Sequence, residues 1–284
     1  MRIAIVYDHP RLEERRLAEE ARRLGHEVQL YNLDSMVFRV DEPHRLLGDV
    51  DVVLQRAVSY FKALESTRIL EAYGYTVVNS SIVQLNCGDK LLTSLLLAKH
   101  GVPTPRTYVA FSRAKALEAA EELGYPVVVK PVIGSWGRLV ARADSRESLE
   151  SILEHRELLG PAYYKVHYIQ EYVRKPLRDI RVFVIGDDVP VAIYRVNSSH
   201  WKTNTALGAR AEPAPVTEEL RELALRAAEA VGGGVLGIDV FEDPERGLLV
   251  NEVNANSDFK NTERVTGFNM ARAIVEYAVS LAKR

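Results

Sequence analysis

Leu236–Lys260, LGIDVFEDPERGLLVNEVNANSDFK, has the pattern of two strands around a turn. Leu236–Phe241 is apolar but for Asp239, Asp243-Pro244-Glu245-Arg246-Gly247 is a cluster of turn formers, and Leu248–Asn254 returns as a second strand. Side chains alternate along a strand, so Glu252 and Asn254 share a face, and in a hairpin Asp239 reaches that face from the neighbouring strand. Two carboxylates and an amide oxygen form a hard oxygen set suited to Mg²⁺ held jointly with nucleotide phosphates. A half-buried hairpin with solvated acids is the alternative, and the segment alone leaves both open.

Upstream, strands alternate with helices over residues 1–80. Strands are expected at Met1–Tyr7, Glu27–Tyr31, Val50–Leu54 and Tyr75–Asn79, with helices at Arg11–Gly25 and Ala63–Tyr73. That alternation implies an open, mostly parallel α/β unit. No glycine-rich fingerprint follows the first strand, which argues against dinucleotide binding of the Rossmann kind. Arg56 and Ser59 are kept only as rim residues. Asn86–Lys90 opens a helix running through Leu91–His100, and Gly101-Val102-Pro103-Thr104-Pro105 interrupts the chain.

Pro126–Lys130 is a strand of valines ending in lysine, and Pro131–Arg138 follows as a small-residue loop. Backbone amides of such a loop wrap phosphate oxygens, and a lysine at the strand end adds a point charge. The spacing is not that of a P-loop. Further strands are expected at Tyr168–Val173, Arg178–Gly186 and Val189–Arg195, with helices at Ala114–Gly124, Ser145–Leu159 and Thr217–Val231. Arg178, Arg181 and Arg195 around an otherwise apolar sheet point to anion recognition.

The 284 residues carry 37 basic and 39 acidic side chains, a net charge of −2 that gives no argument for nucleic acid or a membrane surface. One cysteine, Cys87, excludes an intramolecular disulfide and a cysteine-based metal cluster. No apolar run approaches the roughly 18 residues of a membrane span, and the N-terminus lacks a signal-peptide layout. A cytoplasmic protein is expected.

The order of these pieces resembles the ATP-grasp superfamily and, within it, the RimK branch. The matching residues are Lys90, Val127–Pro131, Gly134–Gly137, Gln170–Val173, Arg178–Val184, Gly237–Asp239 and Asn251–Asn254. The runs KPVIGSWGRL, YIQEYVRKPLRDIRVFV and NEVNANSDFKN are similar to the LysX/ArgX family, ligases that couple 2-aminoadipate or glutamate to a small acidic carrier protein of the LysW type. The resemblance implies an α/β ATP-grasp fold with an N-terminal open parallel domain over 1–85, a central domain over 86–170 and a C-terminal antiparallel-sheet domain over 171–284.

It also implies site roles. Lys90 and Lys130 contact ATP phosphates beneath Gly134, Ser135, Trp136 and Gly137, while Gln170, Glu171, Tyr172 and Val173 form the adenine hinge. Arg178, Asp179, Arg181 and Asn204 complete the nucleotide set, and Asp239, Glu252 and Asn254 hold Mg²⁺, with two ions expected. Arg195, Asn204, Thr205, Asn256, Ser257, Asp258, Phe259 and Lys260 correspond to amino-acid contacts. Arg195, Lys130 and Arg181 are the catalytic candidates, for formation of an acyl phosphate and attack by an amine.

Arg174, Lys175, Lys202 and Arg210 are expected near the active-site mouth as a basic patch that docks the carrier, and a homodimer or homotetramer is the expected assembly. Asn254-Ala255-Asn256 favours 2-aminoadipate in this family, whereas Gly267-Phe268 is a pair associated with its glutamate-using members. A regulator that binds nucleotide without turnover, and a ligase acting on a free peptide terminus, are the competing readings.

Overall fold

The computed structural model describes residues 1–41, 46–134, 136–198, 200–203 and 208–282. The chain opens with β1 (Arg2–Tyr7), α1 (Leu12–Arg23), β2 (Glu27–Asn32), β3 (Val52–Gln55), α2 (Tyr60–Ala72) and β4 (Val77–Val78). These strands form a parallel sheet in the order β2-β1-β3-β4. Ile3–Val6 and Val52–Leu54 are buried without alternation, as strands covered on both faces must be.

The helix expected across Asn86–His100 is two helices, α3 (Ser81–Gly88) and α4 (Lys90–Lys99). Gly88 lies so close to Tyr60 that a Cβ there would fall 1.8 Å from the ring. Asp89 breaks the helical run and caps α4, accepting from the amides of Leu91 at 2.8 Å and Leu92 at 3.2 Å. At the break, Lys90 N donates to Val132 O at 2.8 Å, which fixes Lys90 against the loop that follows Lys130.

The next sheet has the order β5-β8-β6-β7, built from β5 (Thr107–Ala110), β6 (Val127–Lys130), β7 (Ala141–Ala143) and β8 (His167–Glu171). All its pairings are antiparallel, and α5 (Arg113–Leu123) and α6 (Arg146–Leu159) cover it through Leu117, Leu123, Leu149 and Leu153. The last sheet is also antiparallel, in the order β11-β10-β9-β12-β13. Its strands are β9 (Arg178–Ile185), β10 (Asp188–Val196), β11 (Arg210–Ala214), β12 (Val235–Asp243) and β13 (Gly247–Asn254), with α7 (Glu218–Val231) packed on one face.

Two helices follow that the sequence pattern was not assigned: α8 (Lys260–Thr266) and α9 (Met270–Ala282). α9 buries Met270, Ala271, Ile274, Val275 and Ala278 in one core with Phe183 and Ile185 of β9, Ile3 and Ile5 of β1, and Leu17 of α1. Fully burying side chains of this kind stabilises by about 1.5–3 kcal/mol for each large aliphatic. This helix therefore seats the parallel sheet on the five-stranded one. Asn79 adds a polar tie, its side chain bonding Val235 N and O, both at 2.7 Å, and Ala255 O at 2.8 Å.

Candidate active site

Alternation along β9 puts Asp179, Arg181, Phe183 and Ile185 on one face. The last two belong to the core under α9, while the first two are charged. Register carries the charged half across the sheet: Asp239 of β12 lies beside Arg181, Glu252 of β13 beside Asp239, and Arg195 of β10 beside Asp179. A bulge between Asp239 and Val240 leaves Asn251 as an extra residue on β13. Asn251 and Glu252 consequently both reach the cleft, which strict alternation forbids.

Two clefts meet at Asp239, Glu252 and Arg195. One runs between the two antiparallel sheets, past Lys90, Lys130, Gly134, Gly137, Gln170, Tyr172, Val173 and Asp179. The other opens toward the parallel sheet, past Arg11, Trp136, Arg181, Asn254, Asn256, Ser257, Asp258 and Lys260.

In the first cleft, buried Lys130 Nζ donates to Gln170 Oε1 at 2.6 Å and Asn251 Oδ1 at 2.8 Å. Burial pushes its ammonium down, Glu252 pulls the other way, Lys90 adds to the push, and it rests at about 8. Lys90 Nζ bonds Gly134 O at 2.6 Å and pairs with Glu252 Oε1 at 3.2 Å. Gln170 is held in turn by donation to Thr107 Oγ1 at 3.1 Å.

At the junction, Arg195 Nε and Nη2 grip Asp179 at 2.7 and 2.8 Å, and Nη2 also reaches Asp239 Oδ2 at 2.9 Å. Arg181 forms a two-pronged pair with Asp239, its Nη2 lying 2.9 Å from Oδ2, and donates from Nη1 to Ser257 Oγ at 3.3 Å. Burial opposes the Asp239 charge, but the two arginines hold its carboxyl below the usual range. Burial likewise opposes the Arg195 charge, and Asp239 and Asp179 more than offset it. These groups are thus fixed before any ligand arrives.

A divalent cation would find oxygen donors here. Asp239 and Glu252 are register partners, and Asn254 donates its Nδ2 to Gly237 O at 3.3 Å, which turns Oδ1 away from that carbonyl. Gly237 is obligatory at this point, since a Cβ would lie 2.0 Å from Ser257 Oγ. Both Asp239 oxygens already face guanidinium groups, so Glu252 and Asn254 are the more available ligands. No three His, Cys, Asp or Glu side chains converge among the described residues, so an ion here would also need oxygens from amide side chains, water or a bound ligand.

Several expectations need correction. Phe259 is no substrate contact: it is 1% exposed, in the core beneath α9, with the Arg56 guanidinium 5.9 Å from its ring centre. Arg178 stands on the opposite face of β9 from Asp179, bonded to Glu242 at 2.7 and 2.8 Å and lying over the Tyr194 ring, and it is not among the residues that line the first cleft. Glu171 lines the first cleft with its neighbours Gln170, Tyr172 and Val173, and its carboxylate bonds Arg106 and Arg246. Trp136 lines the second cleft, with Arg138 4.9 Å over its ring.

Lys175 and Lys202 line the first cleft, bonded to Arg178 O at 2.8 Å and Gly137 O at 3.2 Å. Arg210 is paired with Glu212, and Arg174 is exposed beside Arg246. Ser135, Asn204 and Thr205 lie outside the described residues. Phe268 packs into the core under α9 rather than into either cleft. Cys87 is no nucleophile, because burial and then Glu252 hold its thiol protonated.

Sequence reasoning missed Asn251, hidden by the bulge, and Arg11, whose role depends on contacts 247 residues away. Arg11 donates to Glu14 Oε1 at 2.7 Å, Asp258 Oδ1 at 2.7 Å and Asn256 Oδ1 at 3.3 Å. Arg56, expected only as rim, is buried and bonds Glu14 and Ser257 O. Asn256 Nδ2 in turn donates to Ala57 O at 2.7 Å.

Two antiparallel sheets closing on a cleft with lysines on one side and acids on the other, preceded by a parallel α/β unit, define an ATP-grasp protein. Residues 87–278 match the model of the RimK-like ATP-grasp domain, and residues 3–84 match that of the LysX preATP-grasp domain. The chain belongs to the RimK-like ATP-grasp family, whose members use ATP, typically with Mg²⁺.

It is 50% identical to the alpha-aminoadipate–LysW ligase LysX of Sulfurisphaera tokodaii, with 97% of each chain covered. It is 48% identical to LysX of Saccharolobus solfataricus, with 97% of this chain and 100% of that one covered. Against the glutamate–LysW ligase ArgX of S. tokodaii identity falls to 37%, with 98% of each covered. Among solved structures, a RimK domain protein of Sphaerobacter thermophilus superposes with a TM-score of 0.81 at 25% identity, covering 98% of this chain and all of that one. No helix among the described residues is long and apolar enough to cross a membrane.

Proposed function

We propose that this chain is an ATP- and Mg²⁺-dependent ligase joining the α-amino group of 2-aminoadipate to the side-chain carboxylate of the C-terminal glutamate of a LysW-type carrier. The observation that carries this reading is the meeting of two clefts at Glu252, in a chain nearer in sequence to LysX than to ArgX. In this reading the first cleft takes ATP and the second takes the amino acid and the carrier's tail.

A carboxylate is a poor acyl donor because its leaving group is oxide. Transfer of the γ-phosphoryl group to it gives an acyl phosphate, whose leaving group is phosphate. Lys90 and Lys130 hold cationic charge against the transferring oxygens. Glu252, Asn254 and Asp239 would hold Mg²⁺, two ions in this proposal, which would supply further neutralisation of phosphate charge. Arg181 and Arg195, clamped by Asp239 and Asp179, offer a fixed positive field where the amine attacks and an oxyanion develops. Asn254 and Asn256 line the second cleft, and in this proposal they carry the preference for the longer substrate. A cytoplasmic homodimer or homotetramer completes the proposal.

The deciding measurement compares kcat/KM for 2-aminoadipate and glutamate with one LysW-type carrier. One methylene is worth roughly 10–200-fold in such a pocket, so a preference for 2-aminoadipate in that range is expected. A clear preference for glutamate refutes the assignment, and ATP turnover that ignores the carrier refutes the acceptor.

A further inference from the structure

Behind the nucleotide cleft the two antiparallel sheets are tied together by one buried carboxylate. Glu171 closes β8, just before Tyr172 and Val173 run along the cleft wall. Its oxygens accept from Arg106 N at 2.7 Å, Arg106 Nε at 2.9 Å and Arg246 Nη1 at 2.7 Å. Glu171 N returns a bond to Arg106 O at 2.9 Å, so the joint with the segment before β5 is reciprocal. Burial works against the Glu171 charge, and these donors hold its carboxyl below the ordinary range.

Arg246 comes from the other sheet. It sits in the turn between β12 and β13, seven residues after Asp239 and six before Glu252. The turn orients it beforehand: Arg246 Nη2 donates to Asp243 Oδ2 at 2.7 Å, and Asp243 Oδ1 accepts from the Arg246 amide at 3.0 Å. A third tie runs beside it, where Val250 N donates to Pro103 O at 2.8 Å. The hairpin that carries the acids is thereby fixed to the strand that leads into the base-side wall.

We infer that Arg246 and the Glu171 carboxylate are a positioning pair that sets the spacing between the metal-binding hairpin and the base-side wall, of which Glu171 is part; Arg246 itself lies outside the cleft. This rests only on the first cleft being the ATP site. The hairpin's pairing to β9 and its packing under α7 do not involve Arg246, whose side chain is 38% exposed, so its loss leaves the fold intact while freeing one wall to drift.

The test is titration calorimetry of the intact protein with Mg·ATP. Arg246→Gln is expected to weaken binding about tenfold, with a melting temperature within about 2 °C of the parent and amino-acid KM within about twofold. Arg246→Lys, which reaches only one of the two carboxylates, should recover part of the loss. Glu171→Gln combined with Arg246→Gln should bind no more weakly than the worse single variant, as partners in one interaction do. Unchanged Mg·ATP affinity in Arg246→Gln overturns the inference, as does an equal rise in KM for every substrate or an additive double variant. Because the calorimetric arm needs neither the amino acid nor the carrier, a failure of either proposed substrate leaves the Mg·ATP affinities, and the inference read from them, standing.

Discussion

The two clefts that meet at Glu252 are made in different ways. On the nucleotide side most polar groups stand on strands or their ends, Lys130 on β6, Gln170 on β8, Asp179 on β9 and Asp239 on β12, and they are buried and mutually bonded. On the other side, beside Arg181 and Asn254 on strands and Lys260–Thr262 on α8, a group comes from segments between elements. Arg11 precedes α1, Arg56 follows β3, and Asn256–Asp258 follow β13, joined by contacts that span 45 to 247 residues. A sheet fixes charge against charge at low conformational cost, which suits a ligand common to the whole family. Segments that only meet in the folded state can change one at a time, which suits the part of the site that distinguishes one amino acid from another.

The sharpest way to break this division is at the shared residue. Glu252→Gln should leave ATP binding largely intact and cut turnover by at least about 100-fold, the scale of losing an essential electrostatic group. Near-normal turnover would remove Glu252 from the junction role.

A second experiment concerns the nucleotide side alone. Lys130 is depressed to about 8 in the free protein, and phosphate favours its charged form. Raising the pH through 8 removes the proton that binding must restore. Affinity for Mg·ATP should fall about tenfold between pH 7 and 9, with proton uptake on binding at the higher pH. Calorimetry in buffers of different ionisation enthalpy measures both, and affinity flat across that range would count against a cationic Lys130 as the phosphate contact.

The smallest effect is expected on the other side. Arg11→Met should raise KM for the amino acid or the carrier by roughly fivefold and leave ATP affinity within about twofold, the scale of losing one charged hydrogen bond near solvent. Steady-state kinetics with each substrate varied in turn separates the two. A change in ATP affinity as large as that for the amino acid would mean the clefts are not independent.

The same contrast explains what could be read from sequence. Strand alternation put Glu252 and Asn254 on one face and carried Asp239 to them, and valines ending in Lys130 announced their strand. Alternation fails where a bulge lets Asn251 and Glu252 both reach the cleft, and no local pattern announces it. Phe259 sits next to Asp258 in sequence and read as part of the substrate run, yet the turn into α8 sends it to the core. Arg11 looked like an ordinary helix start because Asp258 and Asn256 are neighbours only through the fold.

Strand β9 carries one further consequence. Its face holds Asp179 and Arg181 at one end and Phe183 and Ile185 at the other, within eight residues paired on both sides. No local opening can release the charged end without drawing the apolar end out of the core shared with α9 and β1. Amide hydrogens along β9 should therefore exchange with solvent only through global unfolding, whereas those of Ala255–Asp258 exchange through smaller excursions. Chemical denaturant added at sub-unfolding concentrations would then disable amino-acid recognition first, leaving a protein that still holds its nucleotide.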